Sequence, residues 1–359
     1  MKIQRTSVGL DVHARSVFGC GLDGETGEVF SRRLSTDHRE ILDWVNGLPG
    51  PVAVTYEAGP TGFGLARSLL ENRVQCLVAA PSKLVRPSGD RVKTDARDAA
   101  HLARLLHLGE ITAVCVPSVE REAARDLVRA REDCRADLMR ARHRVAALLL
   151  RHNIVYSGGP AWTLTHLAWL SRQHFPAPAQ AAYDTAVEAM LSCIDRRDRL
   201  DAAIAAMAVD SEFTAVVRRL GCLRGVSTLT AFGLAVEIGD WSRLTGRSIG
   251  AYLGLVPTEY SSGASRVQGS ITRTGNAHAR RLLIEAAWHH RRPYRPGVEL
   301  RRRWQAASPA ARRRGQQANH RLHTRWCGFD ARAKRPAVAN AAIARELAGW
   351  CWSLAVLQE

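Results

Sequence analysis

The sequence predicts an α/β domain followed by an all-α region, and three patterns predict it. Short β-branched runs alternate with helical periodicity through the first third. Residues 118–153 and 186–207 carry apolar positions at three- and four-residue steps without a glycine or proline, and from 209 onward the pattern is helical but punctuated by glycine. At 359 residues, 46% apolar and 24% charged, the chain is long enough for two or three domains with real cores, and disordered and fibrous classes are excluded. The expected domains are 1–117, 118–208 and 209–359.

Taken in order, Thr6–Val12 and Ser16–Leu22 read as strands, and Glu28–Leu34 follows across the turn Asp23-Gly24-Glu25-Thr26-Gly27. Three early strands on short turns predict an antiparallel meander. His38–Val45 has helical spacing, Val52–Tyr56 is a buried strand, Thr61–Asn72 a helix and Val74–Ala79 a strand. A polar loop at 81–93 leads into a helix over 94–107 and an apolar run at 111–116. This is the element order of the ribonuclease-H-like fold.

Positions 124, 127, 131, 134, 138, 141, 145 and 148 form a coiled-coil seam with one polar exception, Arg131. Pro160 to Pro178 interrupts it, and a second seam runs through Ala186, Met190, Cys193, Arg197, Leu200, Ile204 and Met207. The two seams can fold back on each other or pair between protomers, and a homo-oligomer, dimer or tetramer, is expected through them. Beyond them, 220–227 (Leu-Gly-Cys-Leu-Arg-Gly-Val-Ser) resembles a helix–hairpin–helix turn whose amides would meet a phosphate. Val338–Leu357 closes the chain as an apolar helix.

Charge narrows the function. Lys+Arg number 51 against 34 Asp+Glu, a net of +17 with a pI near 10.4, which calls for a polyanionic partner, most commonly nucleic acid. Residues 1–110 are balanced, with 14 basic and 13 acidic residues, whereas 271–320 alone hold 12 Arg and two Glu. No run approaches a membrane span and the start has no signal-peptide apolar region, so a cytoplasmic location is expected, on the bacterial nucleoid when active. Eight cysteines with no CxxC pair indicate neither a zinc site nor a disulfide framework.

Four carboxylates of the first third stand at strand ends or helix starts. Asp11 ends the first strand, Glu57 follows Val52–Tyr56, and Asp95 and Asp98 lie three apart, which puts both on one helix face. Oxygen ligands without His or Cys favour Mg²⁺ or Mn²⁺, and two ions about 3.5–4 Å apart can activate a nucleophile and stabilise a leaving 3′ oxygen.

These residues sit in motifs that resemble the DEDD, RuvC-like domain of the bridge-RNA-guided transposases of the insertion-sequence 110 family. They are Val8-Gly9-Leu10-Asp11-Val12-His13, Tyr56-Glu57-Ala58-Gly59-Pro60-Thr61-Gly62 and Lys93-Thr94-Asp95-Ala96-Arg97-Asp98-Ala99. The later chain is similar to that family's transposase domain through Gly254-Leu255-Val256-Pro257, Ser262-Gly263, 269–276, Arg280-Arg281-Leu282-Leu283 and Ala344-Arg345-Glu346-Leu347-Ala348-Gly349. Two departures are Ser227 where a glycine often sits third in the hairpin, and Arg273 where lysine is common. The resemblance implies a serine recombinase: a serine of the later domain attacks a DNA phosphodiester, the DEDD-bound metal ions stabilise the charge, and a guide RNA selects target and donor DNA. Ser262 is the candidate nucleophile, with Ser261 and Ser270 as alternatives.

Expected nucleic-acid contacts are Lys93, Arg266, Arg273, Arg280 and Arg281, and also Arg301-Arg302-Arg303, which lie in a stretch, 291–314, from which acidic partners are nearly absent. Trp288, Tyr294 and Trp304 could stack on bases or pack in the core. Two rival functions remain at this point: a Holliday-junction-resolvase-like nuclease using the carboxylates and water, and a non-catalytic nucleic-acid-binding protein.

Overall fold

A computed structural model describes residues 5–84, 94–263 and 265–358. Two compact units divide the chain, residues 1–118 and 119–359.

In the first unit, β1 (Thr6–Val12), β2 (Val17–Asp23) and β3 (Val29–Leu34) form the predicted antiparallel meander. The Asp23 carboxylate accepts the Glu25 amide at 2.8 Å and so fixes the second turn. Helix α1 (His38–Asn46) is capped by Asp37, and β4 (Val52–Glu57) then enters parallel to β1. Helix α2 (Gly64–Glu71) returns the chain to β5 (Gln75–Ala79), parallel to β4, giving the order β3-β2-β1-β4-β5. Sequence spacing started α2 at Thr61, but Gly62 at φ +72° interrupts the helical backbone first. The 111–116 run only touches the β5 edge, where Val114 N–H donates to the Val78 carbonyl at 2.8 Å.

Residues on alternate positions of a strand face opposite sides. Val8, Leu10, Val54 and Tyr56 bury one face of the sheet with Ile41 and Leu69 of α1 and α2. The other face of β1 meets α3 (Asp95–His107), through Gly9. A Cβ on Gly9 would lie 2.1 Å from the Ala99 carbonyl and 2.4 Å from the Ala103 nitrogen, so only glycine lets the helix lie this close.

In the second unit, α4 (Val119–Arg151), α5 (Leu164–Leu170) and α6 (Ala177–Val209) make an antiparallel helical hairpin with a short helix at its turn. The seams fill each other within one chain: Leu138, Ala141 and Val145 pack with Tyr183, Met190 and Cys193. The polar exception is satisfied there too, since Arg131 Nε donates to Asp201 Oδ1 at 2.7 Å. Val128 and Leu149 are buried where the spacing favoured Leu127 and Leu148, which are half-buried. Of the two arrangements open to the seams, the intramolecular one is present within the chain.

The hairpin base, Ala124, Val128, Ile204 and Ala208, joins the core of α7 (Thr214–Leu220), α8 (Thr228–Ile238) and α9 (Ile249–Tyr252). A two-stranded hairpin, β6 (Pro257–Glu259) and β7 (Gln268–Ile271), precedes α10 (Ala277–Ala287) and α11 (Val298–Gln305). Helices α12 (Pro309–Asp330) and α13 (Pro336–Ala355) complete the core around Trp326 and Leu347. No helix of the described residues is long and apolar enough to cross a membrane.

The turn between α7 and α8 already engages several of the amides expected to meet a phosphate. Those of Gly221, Cys222, Leu223 and Val226 donate to carbonyls within 217–223, and the Arg224 amide donates to Asn319 Oδ1 at 2.8 Å. Cys222, Leu223 and Val226 are fully buried, because Trp304 and Asn319 lie over the turn and donate to the Cys222 carbonyl.

Candidate active site

The strand alternation that sets Gly9 against α3 puts Asp11, two residues on, on the same face at the end of β1. Thr94 caps α3 by accepting the Arg97 amide, so Asp95 and Asp98 occupy its first turn, where the helix dipole favours negative charge. Helix and strand end therefore converge. Ligand atoms of Asp11, His13 and Asp95 all lie within 4.8 Å of one another. His13 Nε2 is 3.2 Å from Asp11 Oδ2 and 3.7 Å from Asp95 Oδ1.

Asp98 and Glu57 are not part of this closest group. Asp98 is the next carboxylate along α3, and its charge acts on Asp11. Glu57 ends β4, beside β1, and the Gly9–Thr55 pairing puts Glu57 on the Asp11 face of the sheet. Burial at the strand end pushes the Asp11 carboxyl above its ordinary range; His13 pulls it down, and the charges of Asp95 and Asp98 push it up again. Such mutual repulsion among hard oxygen donors is what a divalent cation relieves, so the residues fit a metal site. Asp11, Asp95 and His13 would be its nearest ligands, with Glu57 and Asp98 in reach of the same face.

Ser262 lies exposed at the end of the β6–β7 hairpin, exchanging backbone hydrogen bonds with Ser265 at 3.2 and 3.0 Å. Glu259 organises this hairpin: its carboxylate accepts the Ser261 hydroxyl at 2.9 Å and the Gln268 amide at 3.3 Å, and pairs with Arg266 at 3.4 Å. Those donors hold Glu259 below the usual carboxylate range, the Ser261 hydroxyl first. Ser261 is therefore engaged, and Ser270 lies exposed on β7.

The expected nucleic-acid contacts divide into free and engaged. Lys93 lies outside the described residues. Arg273 and Arg301 are exposed. Arg280 donates to the Leu253 and Thr274 carbonyls at 3.1 and 2.8 Å, and Arg281 pairs with Glu132 and Glu285, so both hold the fold. Arg303 donates to the Val226 carbonyl, and Arg302 pairs with Glu299 at 2.8 Å. Scarcity of acids did not leave these side chains unpartnered: the few glutamates take Arg281 and Arg302, and main-chain carbonyls accept from Arg280 and Arg303. Trp304 and Tyr294 bind Cys222 and Asn319 and belong to the core, whereas Trp288 remains 40% exposed beside Trp326.

Two functional groups escaped the sequence reading. His13 stands in the same motif as Asp11, and its separation of two along extended backbone, which puts both side chains on one face, is the available signal. Glu237 sits inside the apolar helix α8 with its side chain 1% exposed. It accepts from Asn276 at 2.7 Å, His278 at 3.2 Å and Arg129 at 3.4 Å. Burial alone would raise its pKa, but these donors, His278 first, hold it at about 2. Because Asn276 also caps α10, Glu237 anchors the loop that carries Arg273.

Comparison with known proteins gives consistent matches. Residues 8–154 match the DEDD-type IS110 model described as "Transposase", and residues 217–300 match the model described as "Transposase IS116/IS110/IS902 family". The chain is 39% identical over 356 residues to "Putative transposase y4qE" of Sinorhizobium fredii, covering 97% of this chain and 88% of that one. It is 29% identical over 349 residues to "Transposase for insertion sequence element IS1533" of Leptospira borgpetersenii, covering 92% and 99%. It is 30% identical over 310 residues to "Probable family 20 transposase" of Pseudomonas aeruginosa, covering 83% and 87%.

Proposed function

The chain belongs to the IS110 family of insertion-sequence transposases, and from that premise we propose that it cuts and rejoins DNA through a serine nucleophile, Ser262, assisted by divalent metal held at Asp11, Glu57, Asp95 and Asp98. The observation that carries the reading is the convergence of Asp11, His13 and Asp95 at the end of β1. The strand order β3-β2-β1-β4-β5 supports a ribonuclease-H-like, RuvC-like identity for the first unit. Mg²⁺ or Mn²⁺, as two ions, suits the oxygen donors, and when bound supplies charge stabilisation at the scissile phosphate.

The residues of the chain then divide the work. Ser262 Oγ forms a bond to phosphorus while the P–O3′ bond breaks; the hydroxyl proton passes to a base or water, and the leaving 3′ oxygen takes up a proton. Attack by a 3′ hydroxyl of a second strand on the seryl phosphodiester reverses these bonds and joins the new strands. Ser262 is favoured because its hydroxyl is exposed at the hairpin end, while that of Ser261 is donated to Glu259. In this reading a guide RNA pairs with target and donor DNA, the protein works in the cytoplasm on the nucleoid, and protomers associate through the outer hairpin face, where Met139, Leu150 and Leu191 are exposed.

His13 beside Asp11 favours a second reading, a nuclease that activates water at the carboxylate site. One experiment separates the two. Incubation of the protein with cleavable DNA, guide RNA and Mg²⁺ should give a protein–DNA adduct that survives denaturation, lost in Ser262→Ala with binding retained. An adduct lost instead in Ser261→Ala or Ser270→Ala moves the nucleophile. Cleavage without adduct establishes the water-using reaction.

A further inference from the structure

Two segments distant in sequence, Gly269–Arg273 and Arg345–Gly349, line one cleft of about 1550 Å³ in the second unit. They are 72 residues apart in sequence at their nearest ends, and helix α13 carries the second of them with its other face in the core: Ala344, Leu347 and Ala348 are buried, while Arg345, Glu346 and Gly349 face the cleft.

The lining holds seven cationic side chains and a single carboxylate, Glu346. That carboxylate is shared between Arg321, at 3.2 Å, and Arg325. Arg314 donates to Ser353 Oγ at 2.7 Å and lies over the Trp350 ring, and Lys334 lies over Phe329. Arg247, Arg273 and Arg345 make no ion pair among the described residues. Arg273 takes the left-handed region at φ +57°, its backbone N–H donates to the Gly254 carbonyl at 3.1 Å, and its side chain is exposed. The Arg345 stem passes over Gly250, where an added Cβ would lie 3.1 Å from Arg345 Cγ. Between the charges the walls are apolar, with Val338, Ala341 and Ile284.

Unneutralised cations spaced along an apolar-walled cleft suit a sugar–phosphate strand, whose phosphates would displace counterions while its sugars cover the apolar wall. We propose that this cleft holds the backbone of the DNA strand on which the β6–β7 hairpin acts, gripped by Arg247, Arg273 and Arg345. The choice of DNA rests on the Ser262 reading, because β7 is at once a wall of the cleft and one strand of the hairpin bearing that serine. The grip is sequence-neutral, since phosphates are the same along every strand.

The test uses the full chain with a fluorescein-labelled DNA duplex over a salt titration. The double variant Arg247→Met/Arg345→Met keeps both stems, including the one on Gly250, and removes only charge. It should bind roughly tenfold more weakly whatever the sequence, with a log–log salt slope flatter by about 0.7–0.9 per lost contact. Arg247→Lys/Arg345→Lys should recover most of the affinity, which excludes a folding defect. A photo-crosslinker in place of Val338, at the cleft wall, should capture DNA over an RNA of equal length. Unchanged slope in the Met variant, or preferential capture of RNA, overturns the proposal. The Ser262 adduct is scored separately: adduct formation with unchanged binding by the Met variant removes the cleft alone, and weakened binding without any adduct removes the serine reading while leaving a polyanion cleft in place.

Discussion

Asp11 is carried by a central strand with a helix packed directly on it, whereas Ser262 is carried at the end of two short strands of a two-stranded sheet whose residues are half or fully exposed. The first support is rigid because both faces of β1 are covered, one by Leu10 and its neighbours and one by α3 at Gly9. The second is held by a short strand pairing, the Glu259 contacts and the Ser262–Ser265 bridge, without a helix packed on its face among the described residues. The difference follows the chemistry each must do. Several like charges can be kept together only by a frame that over-determines their positions. A nucleophile that must meet a phosphate in a large polymer needs access more than confinement.

The comparison breaks first at Gly9. Gly9→Ala puts a methyl group within 2.1 Å of a carbonyl oxygen and 2.4 Å of a nitrogen, both backbone atoms that cannot rotate away. Helix α3 must then lift from the sheet, with a loss of about 3 kcal/mol or more and of the Asp11–Asp95 approach. Urea melts should show the first unit destabilised and recombination abolished. A variant as stable as the parent would show that the carboxylates do not depend on this close packing.

Asp11→Asn probes the charge rather than the frame. Without divalent ions it should fold as well as the parent or better, since it removes a half-buried carboxylate pushed upward by burial and by Asp95 and Asp98. With Mg²⁺ or Mn²⁺ at a hundredfold excess over Kd the parent should gain about 2.7 kcal/mol in the first unit, and the variant should not. Calorimetry reads the shift in Tm. An equal shift in both proteins would place the ion elsewhere.

How much of this was legible follows from what each signal measures. Periodicity reports burial, so it located β1 to β5, α3 and the long helices to within a few residues, and it singled out Asp11 and Asp95, which the structure brings together, because strand ends and a capped helix start are punctuated in sequence. It could not report approach: nothing in Val8-Gly9-Leu10 says that a backbone carbonyl lies against Gly9, nor that Asp95 comes within 3.7 Å of His13. Charge counting located the basic half but not which arginines are available. Arg280 and Arg303 bind carbonyls, while Arg345, quoted only as part of a motif, faces the cleft. The partner of an arginine is set by tertiary contacts, and main-chain acceptors leave no mark in composition.

The smallest expected effect belongs to Gly263, which mirrors Gly9 on the other support. Its φ is +57°, and a Cβ there would meet nothing within 4 Å, so a substitution encounters no clash and only the backbone preference is at stake. Ser262 and Ser265 exchange both backbone hydrogen bonds around it, a tight turn whose first central residue takes positive φ and accepts Gly or Asn readily. Gly263→Ala should therefore cost about 1 kcal/mol, confined to the hairpin, lowering adduct yield a few-fold with an unchanged Tm for the unit. Gly263→Asn, at home in the same region, should restore the yield. Loss of the folded unit in Gly263→Ala would mean that the hairpin is as over-determined as the sheet, and the contrast between a confined cluster and an accessible nucleophile would have to be abandoned.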